Sequence, residues 1–202
     1  MTGNRKVSNP LALTVLSYLT RGPMHPYDLV RTLRDNADGR SVKFTPASVY
    51  MVIRQLAKAG FVVGHETLRT GMRPEHTTYV LTEAGREEWR HWLRELIEDP
   101  RHEYPQFVVA LSLLAALPPG EVTGLLRTRS HRVAQVRAET QAMITQALAG
   151  GLAPLFLVDE EYRVALLDAE MAFLERLIER ITDPEDGWAR PWAEHLGQAD
   201  PP

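Results

Sequence analysis

The feature that most constrains this chain is the switch at Gly60 from a helical to a strand pattern. From Thr45 to Ala59 the apolar residues Val49, Val52, Ile53 and Leu56 recur at intervals of three and four, the spacing of one helix face. Ser48, Met51, Gln55 and Lys58 share the opposite face, with Arg54 at its edge. Gly60 stands where a glycine closes a helix. Beyond it, Phe61-Val62-Val63 and Thr78-Tyr79-Val80-Leu81 are β-branched or aromatic runs suited to strands. Between the runs lies a polar loop, Leu68 to Glu75, with Arg69, Arg73 and the turn residues Gly71 and Pro74. A helix followed at once by an arginine-tipped hairpin is the winged helix-turn-helix arrangement. In it the helix enters a DNA major groove and the hairpin lies along the backbone or in the minor groove.

The flanking sequence supplies the remaining parts. Asn9 and Pro10 suit the start of a first helix carrying Leu11, Val15, Leu16 and Leu19, which Arg21-Gly22-Pro23 stops. His25-Pro26 opens a second, with Leu29, Val30 and Leu33 on its inner side, and residues 36–40 form a polar loop. Thr82 is placed to cap a fourth helix whose stripe is Trp89, Leu93, Leu96 and Ile97, with Trp92 flanking it. Asp99-Pro100 ends that helix and marks a boundary. The rest reads as all helix: Pro105 to Leu117, then Glu121 to Ala149, then a last long helix capped by Asp159 and ended by Asp183-Pro184. The expected architecture is therefore mainly α with a small two-stranded β-hairpin. Residues 1–99 form a winged helix-turn-helix domain with its connecting helix, and 100–183 a helical dimerisation and effector domain. A Pro- and Gly-rich tail, 184–202, follows, with Trp188 and Trp192 as anchors.

Here the residues carry a family resemblance. The stretch ASVYMVIRQLAKAGFVVGHE followed by GMRPEHTTYVLTEAGREEW, with LSYLTRGPMHPYDLVRTL upstream, resembles the PadR family of bacterial transcriptional regulators. Ser48-Val49-Tyr50, Ile53, Leu56, Gly60, Tyr79, Leu81, Thr82, Gly85 and Arg86 fall on the family pattern. Ala47 stands where a glycine is common, and Pro26 replaces the usual glycine before Tyr27. The resemblance implies a cytoplasmic protein, at the nucleoid when bound to DNA, that regulates transcription, usually by repression. It further implies dimerisation through the helical C-terminal region and response to phenolic or other planar, apolar effectors.

Charge and composition agree with a DNA partner. Residues 1–97 hold 14 Lys and Arg against 9 Asp and Glu, a net +5, whereas 98–202 hold 9 against 17, a net -8. The chain has no cysteine, which excludes disulfides and thiolate metal sites and suits a reducing compartment. Its longest apolar run, Phe107 to Leu117, is too short to span a bilayer, and residues 1–6 lack the apolar core of a signal peptide. The histidines show no His-x-x-x-His spacing, and there is no Gly-x-Ser-x-Gly elbow or Gly-rich phosphate loop. The expectation is a protein that is not an enzyme and uses no metal or cofactor.

The candidate DNA-binding residues are Lys43, Thr45, Ser48, Tyr50, Arg54, Gln55 and Lys58 in and before the third helix, with Arg69 and Arg73 on the wing. Thr45, Ser48 and Tyr50 sit where side chains and helix N–H groups meet phosphates; Gln suits adenine, Arg or Lys guanine. Trp89, Trp92, Tyr104 and Phe107 are the aromatic candidates for a small aromatic or apolar effector. The long helices carry Val133, Val136, Leu167, Met171, Leu174, Ile178 and Ile181 as a dimerisation seam with a second copy of the chain. The competing reading is a winged helix used as a protein-interaction module without sequence-specific DNA binding.

Overall fold

The computed structural model describes residues 6–66 and 77–199. Arg69 and Arg73, with the loop that carries them, lie outside the described residues. Among those described are eight α-helices and one antiparallel pair of strands, divided between two compact units, Met1–His102 and Glu103–Pro202.

The first unit is a winged helix. Helix α1 spans Pro10–Leu19, and the Asn9 side chain accepts from the Leu11 N–H at its start. Helix α2 spans Pro26–Asp35 and is capped by His25, whose Nδ1 accepts from the Tyr27 N–H. Helix α3, Pro46–Lys58, buries Val49, Val52, Ile53 and Leu56, the four residues that the period assigns to its inner face. Each such burial is worth about 1.5–3 kcal/mol before entropy is counted. Gly60 takes φ +81°, while the Gly60 N–H reaches the Ala57 carbonyl and the Phe61 N–H the Leu56 carbonyl. This Schellman closure satisfies the last carbonyls of α3 and turns the chain straight into a strand. Strand β1, Val62–Glu66, pairs with β2, Thr77–Leu81, in the register Val62 with Leu81 and Gly64 with Tyr79. The other edge of β2 is also held: Tyr79 exchanges both backbone hydrogen bonds with Met24, at 2.9 and 3.1 Å.

Helix α4, Glu83–Glu98, closes this unit. Thr82 Oγ1 accepts from the Gly85 N–H at 3.0 Å and donates to the Gly60 carbonyl at 2.8 Å. Its first turn lies against the corner after α3 so closely that a Cβ on Gly85 would fall 2.0 Å from the Phe61 carbonyl oxygen. The covered aromatic of α4 is not the one expected. Trp92 is 3% exposed and belongs to the core, Trp89 is half-buried, and Leu93, Leu96 and Ile97 stay exposed, Ile97 by 79%.

The second unit is helical throughout its described residues. Helix α5 is shorter than expected: it spans Gln106–Ser112 and gives way to a 3₁₀ turn at Leu114–Ala116. Helices α6, Pro119–Ala149, and α7, Val158–Thr182, form an antiparallel hairpin. Asp159 lies inside the first turn of α7 rather than capping it; Leu157 holds that place with no side-chain bond. Val122, Leu126, Val133, Leu174, Leu177 and Ile181 make the main core of the hairpin, and Ile144, Leu157 and Val164 a second cluster. The polar residues that interrupt the α6 period sit in this seam. Arg129 Nε donates to Glu170 at 2.6 Å while its guanidinium stacks 3.6 Å from the Phe107 ring, and Thr140 is buried with its hydroxyl on the Val136 carbonyl. The segment expected as a tail carries a further helix, α8, Ala189–Ala199. Trp192 packs from it onto the hairpin core and donates to the Ala115 carbonyl at 3.3 Å. Among the described residues no helix is long and apolar enough to cross a membrane.

Candidate nucleic-acid interface

The outer face of α3 follows from its inner one. With Val49, Val52, Ile53 and Leu56 committed to the core, the helical period turns Tyr50, Met51, Arg54, Gln55 and Lys58 outward, and all five are exposed. With Ala47 they line one open surface of about 430 Å³. It presents a guanidinium, an ammonium and a carboxamide, the groups that pair with guanine, phosphate and adenine. Met51, 51% exposed at the middle of this face, belongs to it although chemistry alone gives no reason to pick a methionine. Its position three and four residues from Arg54 and Gln55 is the signal that finds it.

At the start of α3 the hydroxyls are partly spoken for. The Thr45 N–H donates to Ser48 Oγ at 2.8 Å, the Ser48 N–H to Thr45 Oγ1 at 3.1 Å, and Ser48 Oγ–H to the Thr45 carbonyl at 2.9 Å. This capping box fixes the angle at which the chain joins α3. The half-buried Ser48 thus stands in the first turn of α3 with its hydroxyl on the Thr45 carbonyl. Thr45 is exposed and accepts through its oxygen, so its own proton remains for a ligand. Lys43 is exposed just ahead of the box.

The connection into α3 is braced from α1. Tyr18 Oη donates to Asp38 and accepts from Asn36 Nδ2 at 2.7 Å, bridging both sides of Ala37, whose φ is +56°. Burial, and then the bond to Asp38, raises the Tyr18 pKa above the ordinary 10.0. The neutral phenol is therefore what holds this turn.

The other candidates belong to both units. Trp92, buried in the core of the first unit, is unavailable to a ligand, and Trp89 packs against that core. Tyr104 is exposed and the Phe107 ring is covered on one face by Arg129. Leu174 and Ile181 are fully buried inside the hairpin, with Val133 nearly so, which removes them from a surface seam. Leu167, Met171 and Ile178 are half-buried beside them, and Val136 is 45% exposed.

Three solved structures share this fold. Bacillus subtilis PadR in complex with operator DNA aligns with a TM-score of 0.58 at 19% identity, over 82% of this chain and 99% of that one. Bacillus subtilis PadR in complex with p-coumaric acid gives 0.65 at 16%, over 86% and 97%. A PadR-like transcriptional regulator from Bacillus cereus gives 0.56 at 14%, over 84% and 96%. No curated protein matches the sequence significantly. Residues 15–91, from the middle of α1 into α4, match the model of the transcriptional regulator PadR-like family.

Proposed function

We propose that this chain is a transcriptional repressor that binds a pseudo-palindromic operator as a homodimer and is modulated by a small aromatic effector. The observation that carries the DNA half is the outer face of α3, where Arg54, Gln55 and Lys58 stand exposed together with no acidic residue among the lining. In this reading Arg54, Gln55 and Lys58 meet base edges or flanking phosphates, and Tyr50 and Met51 supply apolar contact. Lys43, Thr45, Arg69 and Arg73 hold the backbone.

The homodimer rests on surface that the second unit leaves uncovered. Tyr162, Leu166 and Phe173 share one face of α7, all exposed, and Val136 is exposed on α6. A second copy is the partner that such a face suits in a symmetric regulator. Two copies set their α3 helices into successive major grooves roughly 34–36 Å apart. An effector that binds one arrangement of the dimer better than another shifts operator occupancy by its differential affinity, typically about 1–3 kcal/mol. The solved complex of Bacillus subtilis PadR with p-coumaric acid supports a small aromatic molecule as the class to screen.

Fluorescence anisotropy against the chain's own upstream DNA at several salt concentrations tests the DNA half. The expected result is tight, steeply salt-dependent binding that only specific competitor DNA displaces. Binding that is indifferent to both sequence and salt would sink it in favour of a protein-interaction module.

A further inference from the structure

Beside the α3 face lies a second groove, of about 630 Å³, whose other wall is the segment that leads into α1. Lys6, Ser8 and Asn9 form one side, and Met51, Gln55 and Lys58 the other. We infer that this groove seats a backbone phosphate of the same DNA duplex that α3 reads, gripped between the Lys6 and Lys58 ammonium groups. The inference rests on the DNA-binding reading above and extends it to a segment ahead of the helix-turn-helix.

Three observations support it. Lys6 is positioned by the fold and does not merely trail from it: the next residue, Val7, is buried in the core of the unit, and the Lys6 ammonium lies 5.9 Å from the centroid of the Phe61 ring. Both walls come from stretches without a carboxylate. Residues 1–27 and 39–65 contain no Asp or Glu, so no acid on either wall competes for these lysines. Finally, Gln55 and Lys58 line this groove and the α3 face alike, so a strand flanking the major groove occupied by α3 is the polyanion within reach. Lysine ammonium groups with the Ser8 hydroxyl are phosphate donors and carry no base code.

The test is the salt dependence of binding by the full chain to its upstream DNA, for wild type, Lys6→Gln and Lys6→Arg. Each phosphate neutralised contributes about 0.9 to the slope of log K against log salt, so Lys6→Gln is expected to lower the slope by about one. A wholly electrostatic contact then costs about eightfold in affinity at 0.1 M salt. Lys6→Arg should keep the slope, and the ranking of base-substituted operators should be unchanged in all three proteins. A single methylphosphonate in the flanking backbone should reproduce the loss in wild type and add nothing to Lys6→Gln. An unchanged slope in Lys6→Gln beside a steep wild type overturns the groove and leaves the α3 reading intact. A changed base ranking also overturns it, because the contact would then be to a base. Wild-type binding without salt dependence overturns both.

Discussion

The two units of this chain settle their apolar residues in different ways. In the first, a single core gathers side chains from α1, α2, α3, the wing and α4, and it leaves a polar outer face on α3. In the second, the hairpin of α6 and α7 has a narrow core in two patches, and large apolar side chains remain outside: Leu125, Val136, Tyr162, Leu166 and Phe173 among them. The charge divides the same way, +5 against -8 on either side of residue 97. The first unit gathers its cationic side chains on one face of α3, whereas the second leaves apolar side chains of α6 and α7 uncovered in the single chain.

Substitutions can break or sharpen this contrast. The largest effect is expected from Gly85→Ala, which drives a Cβ against the Phe61 carbonyl oxygen at 2.0 Å in the completed unit. Backbone has to move, and a loss of about 3–5 kcal/mol is expected in chemical denaturation, with α3 the element displaced. A near-neutral result would show that the first unit is not tightly fitted. Leu174→Ala removes a fully buried side chain from the hairpin. It should cost about 2–5 kcal/mol, towards the low end if the narrow core can collapse around the gap.

The pair Leu166→Glu with Phe173→Glu is expected to leave the helix content unchanged and convert a dimer to monomers in sedimentation, because both side chains are already exposed in the single chain. A dimer that survives would place the contact on another face. The smallest effect concerns Asp183, whose side chain accepts the backbone N–H groups of Asp186 at 2.8 Å and Glu185 at 2.9 Å beyond α7. These bonds hold its pKa below the ordinary 3.8, the Asp186 bond most. A depressed value stabilises the fold above the unfolded pKa, and that contribution fades as pH falls through the lowered one. An NMR titration should find the Asp183 midpoint below 3.8.

Local signals made the first unit readable. Asn9, Thr45, Gly60 and Thr82 each do what their chemistry at a helix end requires. The α3 face followed because one helix side was cleanly apolar. Periodicity failed where it gives direction around a helix but not extent along it. Leu96 shares the azimuth of Trp92, one turn earlier, yet is 42% exposed, so the cover on α4 ends between them. In α6, Arg129 and Thr140 break the apolar spacing yet are seam residues satisfied by Glu170 and by a carbonyl. Their partners are distant in sequence or on the backbone, where no pattern points. Helix α8 was hidden by its Pro and Gly content, since its stability comes from Trp192 against the hairpin. The Lys6 groove was legible only as two charges, because what makes it a groove is the plugging of Val7.

The junction at Gly60-Phe61 has a mechanical consequence. There the end of α3, the root of β1 and the first turn of α4 are fastened within two residues, by the Thr82 bonds to the Gly60 and Phe61 carbonyls and by the absence of a Gly85 side chain. Helix α4 is thereby fixed to the tail of α3 at its first turn and to the core by Trp92, so the two helices form one stiff piece. At 1.5 Å per residue the 16 residues of α4 reach about 24 Å, so a tilt of this piece by about 5° moves its far end by about 2 Å. A shift at the exposed end of α4 is thus tied to the angle of the α3 outer face.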